Sequence, residues 1–240
     1  MRRPRTRSEP PLYDPRHEHD ACGVGFVADA GGRSADRVLP LALAGLAALG
    51  HRGAFAADGE SSDGAGVSLP LEASLRARIG ADASAGAGSE PAVLQLFVPR
   101  GRVAGGRARA LVERSLEAEG LSVARWRTVP TDPAALGPQA AATRPAFVQA
   151  VVGPAPRAVG RRSVAKTRPS MADGDVDLAL LLARRRLETW AREQGVAELA
   201  VASASRHTIV YKGLVAGGRL AAPRSGPEAR ARESPGRMLK

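Results

Sequence analysis

Between residues 92 and 211, five short apolar runs (92–98, 121–129, 146–152, 197–203 and 207–211) are separated by stretches of helical period in an order that excludes simple βαβ alternation. Helical stretches follow the first two runs, at 104–119 and around 133–142. A third, 176–194, comes after an irregular segment, 154–175, and sets Leu180, Ala183, Leu187 and Trp190 on one face with arginines opposite, until Gly195 stops it. Strands thus fall in neighbouring pairs, with helices left to pack on sheets. That pattern predicts an α+β fold.

Upstream, Val24, Phe26 and Ala28 alternate with Gly23, Gly25 and Val27, which predicts a strand from Cys22 to Ala28. A Gly31-Gly32 turn follows, and Ser34 or Asp36 can cap a helix running to Leu49 through Val38, Ala42, Leu46 and Leu49. Pro40 fits only near the start of such a helix, where N–H groups have no intrahelical partner. Gly50 is expected to end it and to deliver His51-Arg52-Gly53 to a loop. The loop continues through Asp63-Gly64-Ala65-Gly66 into a short strand, Val67 to Leu69, and residues 80–91 read as a further flexible loop. Residues 1–11 form an Arg/Pro-rich lead. Beyond Gly218 the chain loses apolar periodicity and cannot bury enough surface to offset lost backbone freedom, so disorder is expected there.

Hydrophobic residues make up 44% of the chain, enough for a core, but aromatics are only 3%, so that core must be built from Leu, Val and Ala. The net charge of +11 would suggest nucleic acid if it were spread over a folded face. It is not: seven of the eleven excess charges sit on residues 1–9 and 219–240, and neither tail carries an aromatic side chain for base stacking. Nucleic acid is therefore not an expected partner. Neither is a membrane, since no run approaches the ~18 apolar residues of a spanning helix, and the arginines at the N-terminus lack the apolar region of a signal peptide. A cytoplasmic location is the expectation.

Cys22 is the only cysteine, which excludes an intrachain disulfide and a cysteine-rich metal site. It is either a buried small hydrophobe or a reactive thiol. A thiol attacks as thiolate, and the nearby His19 need not fold against it. Cutting the chain between Ala21 and Cys22 offers another base, because the new α-amino group, with a reference pKa of about 7.7–8.0, lies within reach of its own side chain. Other readings of the same stretch are weaker. Gly23–Ala28 matches G-x-G-x-x-A, but a dinucleotide fingerprint must follow a strand and open a helix, and this one follows the charged HEHDA. His17, Glu18, His19 and Asp20 beside Cys22 crowd one short segment, where metal sites usually draw ligands from separate elements, so no metal is expected. His51 and His207 read as local structural partners, and Arg184-Arg185-Arg186 as the solvated face of a helix.

LYDPRHEHDACGVGFVADAGG followed by LAGLAALGHRGAFAADGESSDGAGVSLPL resembles the start of the class II glutamine amidotransferase domain of the glutamate synthase large subunit, an N-terminal-nucleophile (Ntn) hydrolase. The resemblance continues in order through EAEGLSVARWRTVPTDPAALG, RPAFVQAVV, LLLARRRLETWAREQG and SRHTIVYKGLV, over roughly residues 12–215. It implies a four-layer αββα sandwich, a propeptide over residues 1–21, an amidotransferase domain over 22–218, and L-glutamine as substrate. Cys22 would be the nucleophile; Arg52 and Gly53, with Asp63 and Gly64 in the following turn, would support the site. It also implies that ammonia passes to further glutamate synthase domains carrying FMN and an iron–sulfur cluster, with no cofactor in this chain.

The sequence departs from the pattern after Tyr211-Lys212-Gly213. Neither the arginine-bearing RFSTNT-like segment that would hold the substrate carboxylate nor the HNGE-like segment of the oxyanion hole is found, and the 240 residues contain no asparagine. Losing one oxyanion donor typically costs about 100- to 1,000-fold in turnover. The resemblance therefore also implies a C-terminally truncated domain, a tail over 219–240 in another frame, open strand edges with poor solubility, and little activity in the isolated chain.

Overall fold

The computed structural model describes residues 22–32, 35–81, 90–155, 173–196 and 198–221. In chain order its elements are α1 (Ala35–Ala48), a 3-10 turn (Leu49–Arg52), β1 (Ala65–Pro70), α2 (Ala73–Ile79), β2 (Ala92–Val98), α3 (Arg102–Glu117), β3 (Leu121–Thr128), a 3-10 turn (Pro133–Ala135), α4 (Pro138–Thr143), β4 (Ala146–Pro154), α5 (Asp173–Glu193), β5 (Ala200–Ser205), β6 (Thr208–Gly213) and α6 (Gly217–Ala221). Helices and antiparallel sheets are mixed as the α+β reading requires. The expected lead at 1–21, most of the irregular segment, and residues 222–240 of the tail expected from 219 lie outside the described residues. The start of that tail is corrected: the sequence predicts disorder beyond Gly218, but residues 219–221 belong to α6, which packs on α1.

One sheet has four strands in the order β3-β4-β2-β5, and the other is a ribbon of β1 and β6. Side chains alternate across β2, and both faces are buried. Ala92, Leu94, Leu96 and Val98, with Val148, Ala150 and Val152 of β4, pack against Leu111, Val112 and Leu116 of α3 and Leu180, Ala183 and Leu187 of α5. Val93 and Val151 point the other way and meet Ile209 of β6, with Leu71, Ile79 and Ala81. At the far end of the ribbon, α6 touches β1 and packs on α1.

Two glutamines stand among these apolar strands. Gln95 and Gln149 are cross-strand partners with no exposed surface. Gln95 Nε2 donates to the Val210 carbonyl at 3.1 Å and ties the large sheet to the ribbon. The bond satisfies the Gln95 NH₂ group while its Oε1 has no partner among the described residues, and it joins the layers alongside the Val210 N–H to Ser203 Oγ bond at 3.1 Å and the Val93–Ile209 packing.

Further expectations are corrected. Residues 22–29 form no strand: Val24 and Phe26 are 90% and 94% exposed, and no described segment offers this stretch a ladder. Alternating sequence favours extension, but a strand exists only with a neighbour. Among the described residues no helix opens between Gly23–Ala28 and Ala35, in keeping with the rejection of a dinucleotide fingerprint there. Gly50 does not stop the first helix; it avoids the left-handed conformation, and the 3-10 turn runs through it until Gly53 N–H bonds to the Gly50 carbonyl at 3.3 Å. Arg52 is thus held on a turn of helix. Pro40 sits in the second turn of α1 at the exposed surface, where it forfeits one intrahelical hydrogen bond. The short helix α2, ended by Gly80 at φ +70°, is an addition to the elements read from sequence.

The other polar expectations rest on visible contacts. His51 Nδ1 lies 3.0 Å from the Ala48 carbonyl, and His207 Nε2 lies 3.6 Å from Asp177. On α5, Arg184 pairs with Glu188 and Arg186 with Glu119, as befits a solvated face.

Candidate active site

The ribbon and the large sheet close on each other at the Val93–Ile209 end and part at the other, where Phe97 and Phe147 stack with ring centroids 4.7 Å apart. The opening is a cleft of about 1850 Å³, lined on one side by Phe97, Arg127 and Phe147, and on the other by Gly64–Ser68 and Val210–Gly213. Cys22, Arg52, Gly53, Asp63 and Gly64 all line it. Five positions spread over 43 residues of sequence thus share one cleft.

Each is placed by a local cause. Gly23 lies so close to the 3-10 turn that a Cβ there would sit 3.2 Å from Leu49 Cδ2 and 3.3 Å from Arg52 Cγ. That packing places the exposed Cys22, one residue before the Gly23–Arg52 contact, on the lining of the cleft. The Arg52 guanidinium, which is exposed, makes no hydrogen bond or ion pair with any other described residue. Gly53 passes beneath Asp63, where a Cβ would lie 3.3 Å from Oδ1.

The two loops are laced together by backbone bonds. Asp63 N–H donates to the Ala54 carbonyl at 3.1 Å, and Phe55 bridges Ser62. The Ala54 N–H and the Ser62 hydroxyl donate to the Asp63 carboxylate, which holds its pKa below the ordinary value. Asp63 is therefore an acceptor that fixes the Arg52–Gly53 loop, rather than a free base.

A second carboxylate braces the cleft from outside it. Asp58 accepts from the Ser61 hydroxyl at 2.6 Å, from the Ser61 and Glu60 N–H groups at 2.7 and 3.0 Å, and from Gln139 N–H at 3.2 Å. Ser61 Oγ in turn accepts from Ala140 N–H at 3.1 Å. Gly137, the N-cap of α4, has no side chain to offer, and a Cβ there would strike the Ser61 backbone. The 58–61 loop supplies the cap in its place. The Ser61 hydroxyl first, and then the backbone N–H groups, hold the Asp58 carboxyl well below the usual carboxylate range. A depressed pKa contributes stability above the unfolded value, lost as pH falls toward the folded one. We expect Asp58→Asn to melt earlier than wild type at pH 7, and the gap to close as pH is lowered through about 4 and below. A gap unchanged with pH would show that charge plays no part in the cap.

The profile of the class II glutamine amidotransferases matches residues 22–222, beginning on Cys22 and taking in every described helix and strand. The chain belongs to the class II glutamine amidotransferases. It is 32% identical over 204 residues to the glutamate synthase [NADPH] large chain of Azospirillum brasilense, covering 84% of this chain and 13% of that one. It is 34% identical over 201 residues to ferredoxin-dependent glutamate synthase 2 of Synechocystis sp., covering 82% and 12%. For the glutamate synthase [NADPH] large chain of Bacillus subtilis the identity is 29% over 204 residues, 85% and 13% being covered. The chain thus spans about an eighth of the length of these relatives.

Within this amidotransferase domain the cleft also gathers residues that the sequence left unassigned. Arg127 Nη1 donates to Gln149 Oε1 at 2.6 Å, and Gln149 Nε2 donates to the Tyr211 hydroxyl at 3.3 Å. Tyr211 meets the edge of Phe147 at 6.4 Å between centroids. Arg127 lies in a run whose strand character was legible, but nothing in its alternation marks the buried partner that aims it. No group of three metal-ligating side chains occurs among the described residues, and no described helix is long and apolar enough to cross a membrane.

Proposed function

We propose that this domain hydrolyses L-glutamine to glutamate and ammonia with Cys22 as an N-terminal nucleophile. The observation that carries the proposal is the family match that opens on Cys22, together with the single cleft shared by Cys22, Arg52, Gly53, Asp63 and Gly64. Hydrolysis of the Ala21–Cys22 peptide bond frees the α-amino group, which takes the thiol proton directly or through a water. The thiolate attacks the side-chain amide carbon, the C–N bond breaks, and ammonia leaves with the proton from the α-ammonium. Water then attacks the glutamyl thioester, its proton passes to the α-amine, and the C–S bond breaks to restore the thiol. Arg52, braced by the Asp63–Ala54 lacing, holds the new terminus in place. The layer order fits an αββα sandwich, with α3 and α5 outside the large sheet and α1 and α6 outside the ribbon.

The relatives' names place such domains in glutamate synthases, so the ammonia is proposed to pass to partner domains of that kind. FMN and an iron–sulfur cluster would belong to those domains. One cysteine cannot by itself ligate a cluster of four-thiolate type, and the steps proposed above use Cys22 and water alone. A second reading, a domain without turnover, is favoured by the absence of asparagine, since the family's side-chain oxyanion donor then has no counterpart in these residues.

Mass spectrometry of the purified protein separates the two. A chain beginning at Cys22, modified once by an electrophilic glutamine analogue, is the expected result. Retention of Met1 with no adduct would overturn the first reading, whereas an adduct without glutamine turnover would establish the second.

A further inference from the structure

Helix α5 carries apolar residues on two faces, and the core uses only one. Val176, Leu180, Ala183 and Leu187 pack into the core with α3 and the large sheet. Leu178, Leu181 and Leu182 recur at i, i+3 and i+4 on the outward face and are 55%, 52% and 45% exposed. Exposed leucines are ordinary singly, but three along one side of one helix make a continuous apolar patch. Charges bracket that patch on the same face. Asp175, which is exposed, precedes it by about one turn, and Arg185, also exposed, follows it by about one turn. Arg184 and Arg186 are taken up by Glu188 and Glu119, whereas Arg185 makes no hydrogen bond or ion pair with any other described residue. Arg185 stands in the middle of a helix that runs from Asp173 to Glu193, so the helix dipole, felt in the terminal turns, does not account for it. No residue of α5 lines the cleft that contains Cys22.

We propose that this face of α5 is a self-association surface, on which a second copy of the chain docks with its own α5 antiparallel, about a twofold axis near residue 180. An order of acid, leucines and arginine along one helix is complementary to itself only when reversed. The reversal sets Leu178 on Leu182 of the partner subunit and Asp175 beside Arg185 of the partner subunit, and each contact occurs twice. A parallel pairing would oppose Asp175 to Asp175 and Arg185 to Arg185, and facing like charges are costly. The leucines supply the buried area, while the charge pairs set direction and register. One helix face buries less than a standard interface, so a Kd on the order of 10–100 μM is expected. The inference does not depend on the glutaminase reading, because α5 lies on the face of the large sheet opposite the ribbon and leaves the cleft open.

Sedimentation velocity of the full chain over about 1–300 μM, a range that brackets the expected constant, is the test. Wild type should pass from monomer to dimer and stop there, since an isologous contact is closed. Leu182→Asp should raise the Kd by about tenfold or more, because it sets an unpaired carboxylate at the centre of the contact. It should leave the melting temperature of dilute protein within about a degree of wild type, because the leucine it replaces is exposed in the monomer. Arg185→Glu and Asp175→Lys should each weaken the dimer about tenfold by opposing like charges at both ends. Mixed in equal amounts, these two variants should associate again with near wild-type affinity, because each then meets the opposite charge at both contacts. Misfolded variants would not rescue one another in this way. A chain that stays monomeric throughout the range would overturn the proposal, as would association past two copies that ignores Leu182→Asp, or a mixture no tighter than its components. A melting temperature lowered by several degrees in Leu182→Asp would show that the chain itself covers these leucines, and would overturn the proposal too.

Discussion

Replacing Cys22 by alanine is expected to abolish glutamine hydrolysis, by roughly 10⁴-fold or more, while leaving the melting temperature within a degree or two of wild type. The size follows from asking one residue to be both nucleophile and carrier of the base: without sulfur there is no thioester, and water attacking an unactivated amide has nothing in its place. The small change in stability follows from position, since Cys22 is exposed and lies in a stretch with no strand pairing to lose. Cys22→Ser keeps the geometry and the α-amine but exchanges the thiol for a hydroxyl, and should retain intermediate activity, as expected of an N-terminal hydroxyl nucleophile. The pH profile supplies an independent readout. If the α-amino group is the base it must be neutral, so kcat/KM should fall tenfold for each pH unit below about 7.7. Hydrolysis that survives Cys22→Ala, or that stays flat between pH 6 and 8, would remove the N-terminal mechanism.

What could be read from the sequence was whatever local pattern and burial decide together. The run 92–98 is β2 to the residue, and 104–119 and 176–194 are α3 and α5 within a few residues, because their apolar periodicity is satisfied against one another in a single core. Cys22–Ala28 has an equally good alternating pattern and fails as a strand, because pairing is a property of two segments and the pattern describes only one. The cap on α4 was invisible for a related reason: Asp58 and Gln139 are 81 positions apart, and the glycine that occupies the N-cap gives no sign that a distant loop will serve it. Gln95 and Gln149 read as interruptions in apolar strands. Their burial makes sense only once the ribbon is laid over the sheet and Val210 and Tyr211 are brought within reach. The site residues Cys22, Arg52, Gly53, Asp63 and Gly64 came from family resemblance, and their common cleft is a fact of tertiary structure.

Gly64→Val is the substitution expected to damage the fold most for the least change in composition. Gly64 has φ +116°, a backbone conformation that a β-branched residue avoids, and a Cβ at this position would lie 2.8 Å from the Gly213 carbonyl oxygen. Strain and overlap each cost about 1–3 kcal/mol, and neither can be relieved alone. Returning φ to negative values would swing the Gly64 N–H away from Ser62 Oγ, its acceptor at 3.2 Å, and move the carbonyl of Gly213 would break the first pair of the ribbon, Ala65 with Gly213. Among the described residues the ribbon has no third strand to hold it while one end separates. A loss of roughly 3 kcal/mol should lower Tm by about 6–12 °C in a domain of this size. Because the same turn carries Asp63, labelling of Cys22 by the glutamine analogue should slow as well, even at temperatures where the large sheet remains folded. Gly106→Ala is the matched control: it lies in α3 with nothing within 4 Å of the added carbon, so it should be neutral or stabilise by up to about 1 kcal/mol. If Gly64→Val melts with wild type while Gly106→Ala behaves as stated, the close approach of Gly64 to Gly213 does not hold the cleft wall, and the argument that this turn positions the site fails with it.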